Sequence, residues 1–212
     1  MSSDGLWVWS ALFLLGAYHG INPGMGWLFA VALGMQQRAR RAVGRSLPPI
    51  ALGHGLAIGL AVTVAALFQK VLPLRHIQVA VALTLFGLGL YRLRRSRHPR
   101  YGGMQVGFRD LTIWSFLTAS AHGAGFMVLP LLVGRVAEPT GSHHAPVNAL
   151  RTPEANALAV LVHTAGYLGV TALAAYLVYE KFGLAILRKA WVNLDLIWAV
   201  ALIVSGCLTL LA

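Results

Sequence analysis

Residues 18–27, Tyr-His-Gly-Ile-Asn-Pro-Gly-Met-Gly-Trp (YHGINPGMGW), interrupt a strongly apolar run near the start of the chain. The stretch combines an ionisable ring, His19, with the turn-forming sequence Asn22-Pro23-Gly24. Proline removes a backbone donor and glycine weakens a helix, so we expect the helix to be broken here. Irregular backbone at membrane depth is tolerated only where it lines a cavity or is buried in protein. The stretch therefore predicts a broken helix whose break has a function.

The composition is typical of a polytopic membrane protein. Of the 212 residues, 58% are hydrophobic and 11% are charged, and the mean hydropathy is +0.70. A soluble domain has about 25% charged residues. The first apolar run lacks a basic segment before it and a cleavage site after it, so we interpret it as a retained span. The basic residues that give the net charge of +11 lie in loops between the apolar runs. This position is typical of residues that orient helices in a membrane, and it does not favour nucleic-acid binding.

Apolar stretches near the length that crosses a bilayer, about 20 residues, predict an all-α fold of six transmembrane helices. The predicted spans are Leu6–Met35, Pro49–Leu72, Ile77–Leu93, Leu111–Val133, Ala155–Tyr179 and Trp191–Leu211. We interpret residues 1–212 as one transmembrane domain in contact with the lipid bilayer. Its two repeats cover about 1–100 and about 105–212 and are joined through the basic cytoplasmic loop 92–110.

The basic residues predict the orientation of these helices. The loops after spans one, three and five carry most of the 17 lysine and arginine residues. The residues on the opposite face are Lys70, Arg75, Arg135 and Arg151. Because cytoplasmic loops carry the excess of basic residues, we predict a multi-pass protein of the bacterial inner membrane with both termini on the periplasmic side.

Four of the eight histidines lie inside predicted spans and occur in matching sequences. AYHGINPGMG around His19 resembles SAHGAGFMVLP around His122, and ALGHGLAIG around His54 resembles VLVHTAGYLG around His163. The paired histidines are separated by nearly equal lengths of chain, as expected for a duplicated three-span unit. Because three is odd, successive copies insert with opposite orientation. This predicts a 3+3 inverted repeat, an architecture in which transporters place their site near the membrane midplane.

The repeat predicts that the four histidines form one site inside the membrane, together with residues of the two breaks. The predicted path for an ion or solute is His19, Asn22, Pro23, Gly24, His54, His122, Gly123 and His163. Neutral imidazole binds nickel, cobalt, zinc or copper, whereas magnesium and calcium need oxygen ligands. The predicted metal ligands are His19, His54, His122 and His163.

A depth can be assigned to each of these histidines at about 1.5 Å per helical residue. His19 and His122 come out near the middle of the membrane, His54 nearer the cytoplasm and His163 nearer the outside. The alternative for any single one is a histidine that only hydrogen-bonds to a neighbouring helix.

Other features limit the chemistry further. The single cysteine, Cys207, excludes an internal disulfide and a cysteine-based metal cage within one chain. His143 and His144 lie in the predicted outer loop, where the default interpretation is a solvated segment. No nucleophile–base–acid set and no nucleotide-binding glycine loop is recognisable, so we predict that the protein is not an enzyme. Small-residue runs such as GLAIGLAV and LFGLGL permit close helix contacts, within one chain or in a homo-oligomer.

The motifs resemble a known superfamily. Six short spans, the Pro-Gly break, the basic loop RARRAVGR and the span ending GLYRLRR resemble the lysine-exporter (LysE) superfamily of small transporters. GAYHGINPGMG is most similar to the His-x-x-x-Pro-Gly-x-Gly pattern of nickel/cobalt exporters of the NicO type, which His19, Pro23, Gly24 and Gly26 match. Met25 occupies the position where those exporters usually have a second histidine. The resemblance implies efflux of a divalent transition metal.

Three functions are consistent with the sequence. The first is a secondary transporter that exports a divalent transition-metal cation through the histidine site, with proton coupling. The second is an exporter of an amino acid or another small solute, in which the half-helix ends at Gly24 and Gly123 would receive a carboxylate. The third is a membrane electron carrier in which pairs of histidines ligate haem.

Overall fold

The structure is a computed structural model that is described here for residues 3–68, 73–94, 107–133, 152–182, 200, 202–204, 206 and 207. Within these ranges every regular element is helical and no strand occurs, which confirms the all-α prediction. The helices are α1 (Ser3–Ile21), a 3-10 turn (Pro23–Met25), α2 (Trp27–Gln36), α3 (Arg40–Phe68), α4 (Leu74–Arg94), α5 (Phe108–Ala121), α6 (Ala124–Val133) and α7 (Pro153–Leu177), which continues as a π-helical turn (Val178–Phe182).

Among the described residues, two helices are long and apolar enough to cross a membrane. They are α3 and the continuous segment Pro153–Lys181, and the bent pair α5 and α6 is a third if it forms one span. The apolar parts of α1, α2 and α4 are shorter. The structure therefore supports two or three spanning helices, and the count of six stays a prediction. The sixth predicted span, Trp191–Leu211, lies mostly outside the described residues.

The distribution of polar and apolar side chains is that expected for a protein surrounded by lipid. Large apolar side chains such as Leu14, Leu83 and Leu161 are about two-thirds exposed, whereas His54 and Thr171 are completely buried. In a soluble protein, exposed leucines on this scale would form an aggregation-prone surface. The pattern agrees with the membrane class predicted from the composition.

The predicted break in the first span is confirmed. The helix stops before Asn22, and the Asn22 side chain accepts a hydrogen bond from the Gly24 amide at 2.9 Å, which caps the 3-10 turn. Pro23 occupies the first position of this turn, where its missing N–H has no cost. The Trp27 indole donates a hydrogen bond to the carbonyl of Ile21 at 2.9 Å and so bridges the two ends of the break.

The second histidine-glycine sequence also interrupts its helix, as predicted. The helix α5 ends before His122, and α6 begins directly after Gly123. Gly123 adopts a φ of +73°, which is the left-handed region that glycine enters most readily. The axes of α5 and α6 consequently differ by 59°.

The second predicted span begins nine residues earlier in the structure than in the sequence prediction. We predicted the span from Pro49, where the apolar stretch begins, but α3 begins at Arg40 and contains Pro48 and Pro49. Arg40 and Arg41 are therefore residues of the helix, and the connection between α2, which ends at Gln36, and α3 is short. Arginine is compatible with this position because its long stem lets the charge reach the membrane surface.

The broken helix α1–α2 runs in the same direction as α7. A Cβ atom on Gly16 of α1 would meet the backbone carbonyl of His163, and one on Gly34 of α2 would lie 3.0 Å from the ring of Tyr179. Residues later in α1–α2 contact residues later in α7, so the two segments are parallel.

The broken helix α5–α6 runs along α3 in the same way. The Ser115 hydroxyl donates a hydrogen bond to the carbonyl of Ile50 at 2.6 Å. Further along both helices, a Cβ on Gly125 would lie 3.2 Å from the carbonyl of Ala57. Each broken helix of one predicted repeat therefore packs along the long helix of the other repeat.

The start of α3 and the end of α7 lie on the same side of the bundle. The guanidinium group of Arg40 forms a salt bridge of 2.9 Å with Glu180, and it lies 5.2 Å from the centre of the Tyr176 ring. These residues belong to the first and third of the basic segments that we predicted to face the cytoplasm. The contact agrees with that grouping, while the side of the membrane stays a prediction.

Candidate functional site

Three of the four predicted histidines form one cluster in the interior. The ring centres of His19 and His54 are 5.7 Å apart, those of His19 and His163 are 5.0 Å apart, and those of His54 and His163 are 5.6 Å apart. All three side chains are completely buried. They come from α1, α3 and α7, so the cluster connects both halves of the chain. We call these three residues the histidine cluster.

Close helix crossings make this cluster possible. The backbone of Gly16 lies against the carbonyl of His163, and the backbone of Gly166 lies against the carbonyl of Phe13. A side chain at either glycine would separate α1 from α7 and move His19 away from His163. The small residues that the sequence places beside its histidines therefore set the distance between the rings.

His19 and His122 have the same local geometry in their respective broken helices. In each, Nδ1 lies 2.7 Å from the carbonyl oxygen four residues earlier, that of Leu15 and of Thr118 respectively. A carbonyl can only accept, so Nδ1 carries the hydrogen and the lone pair of the neutral ring is on Nε2. A backbone carbonyl that fixes the tautomer in this way is a common second-shell feature of metal-binding histidines.

His122 lies beside the 3-10 turn of the first break. It is the C-terminal cap of α5 and only 8% exposed. A Cβ atom on Gly24 would lie 4.0 Å from its Nε2. The structure thus brings Gly24, a residue of the predicted path, close to the second break.

The nitrogens of His54 and His163 are buried without hydrogen bonds to the described residues. This holds for Nδ1 and Nε2 of both rings. The backbone carbonyl of Leu12 is near His163, but it makes no hydrogen bond of ordinary geometry with that ring. A buried polar group without a partner costs about 1–3 kcal/mol. Such a cost at two adjacent rings favours a site that holds a ligand.

The predicted depths of two histidines are wrong. We placed His54 nearer the cytoplasm and His163 nearer the outside, but their ring centres are only 5.6 Å apart, about one helical turn. The error arises from the start of α3. With that helix beginning at Arg40 and ending at Phe68, His54 lies midway along it.

Sequence reasoning missed Tyr167, which is part of the site. Its ring is completely buried and stacks on His54, with ring centres 3.7 Å apart and planes inclined by 11°. Its hydroxyl donates a hydrogen bond to the backbone carbonyl of Met25 in the 3-10 turn. The available signal was its position four residues after His163, which places both on the same face of a helix.

The histidine cluster is not arranged as a finished metal site. Among the residues that the structure describes, no group of three or more His, Cys, Asp or Glu side chains is placed to hold a metal ion. His143 and His144 lie outside the described residues, and Cys207 is exposed. Comparisons of the chain with protein families, with characterised proteins and with solved structures found no match.

Proposed function

We propose that the protein is a secondary transporter that exports a divalent transition-metal cation, with the histidine cluster as its central binding site. The observation that carries the proposal is the burial of the His54 and His163 nitrogens without hydrogen-bond partners among the described residues, beside His19. A soft or borderline divalent cation satisfies such lone pairs directly, and imidazole suits zinc, nickel, cobalt and copper.

The spacing of the rings supports a shared ion. With metal–nitrogen distances of about 2.1 Å, ligand ring centres lie about 5 to 5.5 Å from each other in tetrahedral or trigonal sites. The three separations in the cluster are 5.0, 5.6 and 5.7 Å. The ring centres are therefore already at suitable distances. Rotation of the rings is enough to direct one nitrogen of each at a common ion.

Each residue of the path has a role in the proposal. His19, His54 and His163 hold the ion. His122 and Asn22 line the approach at the breaks, while Pro23, Gly24 and Gly123 keep the backbone there out of helical geometry. Ligand exchange from His122 to the cluster would carry the ion past the level of the breaks.

The arrangement of the helices supports transport more than permanent storage. Two broken helices that cross the long helix of the opposite repeat are the parts that inverted-repeat transporters use for alternating access. We accordingly propose six spans in a 3+3 inverted repeat, membership of the LysE superfamily and a location in the inner membrane with periplasmic termini. Protons compete with metal for imidazole, so proton coupling is part of the proposal.

The geometry favours the metal over haem. Two histidines that ligate one haem hold their ring centres about 6 Å apart on opposite faces of a large macrocycle. In the cluster, one face of His54 is covered by Tyr167, and the remaining rings lie within 5.7 Å of it. This packing has no plane into which a macrocycle fits.

The proposal can be tested with purified protein in liposomes that contain a metal-sensitive dye, with Co²⁺, Ni²⁺ or Zn²⁺ supplied outside. We expect the wild type to transport at least one of these ions, and His54→Ala and His163→Ala to lower the rate by about tenfold or more. His76→Ala is the matched control, because His76 is an exposed histidine of α4.

Other results would contradict the proposal. Efflux of a labelled amino acid without any dependence on metal would support the solute exporter instead. A Soret band in the purified protein would support the haem carrier. Equal metal transport by the wild type and the two cluster variants would remove the histidines from the mechanism.

A further inference from the structure

The side chain of Tyr167 connects the histidine cluster to the first helix break. One face of its ring stacks on His54 at 3.7 Å. At the far end of the same ring, the hydroxyl donates to the carbonyl of Met25. Tyr167 also lies one helical turn after His163 in α7. A single rigid side chain therefore contacts a proposed ion ligand and the backbone of the turn.

The carbonyl of Met25 depends on this hydroxyl. The backbone hydrogen bond at the start of α2 runs from the Ala30 amide to the Gly26 carbonyl at 3.1 Å, so the Met25 carbonyl lies before the hydrogen-bond ladder of that helix. Met25 is only 2% exposed. Loss of the hydrogen-bond donor to this buried carbonyl would cost about 1–3 kcal/mol. The hydrogen bond therefore holds the turn against Tyr167.

Gly26 packs against the same hydroxyl. Its φ of +148° is a conformation that side-chain-bearing residues rarely adopt. A Cβ atom on Gly26 would lie 2.9 Å from the Tyr167 hydroxyl oxygen. The C-terminal end of the break, at Gly26, therefore packs directly against Tyr167. A displacement of the Tyr167 ring would displace the turn.

The stack makes the movement of the two rings interdependent. His54 must turn if one of its nitrogens is to face an ion shared with His19 and His163. A nearly parallel ring at 3.7 Å leaves no room for that turn unless Tyr167 tilts as well. A tilt of Tyr167 stretches or breaks its hydrogen bond to Met25.

Two other hydroxyl groups lie beside that of Tyr167. They belong to Ser115 and Thr171, and both are close enough to interact with it. The Thr171 side chain is completely buried. When its hydrogen bond to Met25 is broken, the Tyr167 hydroxyl therefore has Thr171 within reach as a partner.

From this geometry we infer that Tyr167 is a positioning residue that transmits the loading of the histidine cluster to the break Asn22–Gly26. The inference rests on the proposed function, because it requires an ion at the cluster. It adds a coupling device to that function: binding of the cation loosens the turn that separates α1 from α2. The test must therefore measure ion binding and the state of the turn separately.

The experiment compares hydrogen exchange of the purified, full-length protein with and without Co²⁺. In the wild type we expect Co²⁺ to accelerate exchange of the amides of Asn22, Gly24, Met25 and Gly26 by about fivefold or more, because the turn loses its hydrogen bond to Tyr167. In Tyr167→Phe the stack is kept and the hydroxyl is removed. We expect this variant to show fast exchange at the turn whether or not Co²⁺ is present and an unchanged visible spectrum of bound Co²⁺. Because binding no longer has to break the hydrogen bond to Met25, its affinity for Co²⁺ should rise by about fivefold or more.

Tyr176→Phe is the matched control, since it removes a hydroxyl from the same helix at a distance from the cluster. It should respond to Co²⁺ like the wild type. A wild type that does not bind Co²⁺, Ni²⁺ or Zn²⁺ would overturn the proposed function. Binding of Co²⁺ without a change at residues 22–26 in the wild type, or with the same change in Tyr167→Phe, would overturn the role of Tyr167 alone. Should Tyr167→Phe fail to fold, the wild-type comparison still decides the inference.

Discussion

The two helix breaks lie at matching places in the two halves of the chain but differ in construction. The first extends from Asn22 to Gly26, contains a 3-10 turn and is held by the Asn22 side chain and the Tyr167 hydroxyl. The second consists of His122 and Gly123, between helices that bend by 59°. The first break therefore spans five residues and is held in part by a side chain from another helix, whereas the second turns within two residues, one of them a glycine in the left-handed region. A break that is held by a side chain from another helix can be released by that side chain.

The histidines of the two breaks share one hydrogen-bond geometry. Both His19 and His122 direct Nδ1 at the carbonyl four residues earlier, at the same distance of 2.7 Å. His19 packs against the rings of His54 and His163, and His122 lies beside the turn of the first break. In the proposed function, the first break belongs to the binding site and the second to its approach. Substitutions in the two breaks test this difference, and the largest effect is expected on metal affinity.

The two break histidines should differ in their effect on metal affinity. His19→Ala removes one of three proposed ligands, and we expect Co²⁺ affinity to fall by about a thousandfold, or about 4 kcal/mol. His122→Ala should lower it by less than about tenfold, because that ring lines the approach. Titration of Co²⁺ absorbance with purified protein measures both values. Equal losses in the two variants would place both rings in one site and remove the distinction.

The two break glycines should differ in their contribution to stability. Gly26→Ala forces a side chain into a φ of +148° against Ile50 and Tyr167, and we expect a loss of about 3 kcal/mol in the free energy of unfolding. Gly123→Ala, at a φ of +73° and beside flexible leucine side chains, should cost about 1 kcal/mol. Denaturant unfolding in detergent, followed by tryptophan fluorescence, compares the two. Gly59→Ala is the control, since a Cβ there meets nothing within 4 Å.

The pH dependence of Co²⁺ affinity should follow the cluster and not the second break. Each proton that binds a ligand imidazole removes its lone pair, so affinity should decrease as the pH is lowered. Because the three rings are completely buried, where a proton is costly, we expect this loss to begin only well below neutrality. His122→Ala should keep the pH dependence, whereas His163→Ala should reduce it. An affinity that stays constant down to the pH at which the protein unfolds would contradict binding through imidazole.

The cap of the first break should have the smallest effect. Asn22→Ala removes the acceptor for the Gly24 amide and should lower the free energy of unfolding by about 1 kcal/mol. Asn22→Asp keeps an oxygen at that position and should restore most of the loss. The same unfolding measurement applies. If Asn22→Ala cost as much as Gly26→Ala, the turn would be held mainly by its own cap and not by packing against Tyr167.

The breaks and most of the cluster were predictable because they rest on local properties of the chain. Proline and glycine act within a turn, so Pro23 and Gly123 indicate interruptions wherever the helices lie. Histidines that recur at matching positions in two halves indicate a shared site, and three of the four rings meet as expected. The fourth, His122, was assigned to the same ligand set, and the structure locates it by its contact with the 3-10 turn.

The remaining features depend on contacts between distant parts of the chain. The level of His54 was misjudged because the predicted span began with the apolar stretch at Pro49, whereas α3 begins nine residues earlier, at Arg40. Tyr167 gave no signal of its own, since an aromatic residue in an apolar run is most often part of the core. Its role follows from the crossing of α7 with α3 and with the turn near Met25, which no local pattern encodes.

The exchange of partners between the halves has a consequence for how the molecule is made. Because α1–α2 lies along α7 and α5–α6 lies along α3, each broken helix meets its long partner only after both halves have been made. The first half leaves the ribosome with Gly16 and Gly20 of α1, and with His19 and His54, not yet covered by α7. A folding intermediate that contains only the first half is therefore incomplete until α7 has been synthesised. Folding of the chain thus depends on the order in which the two halves meet.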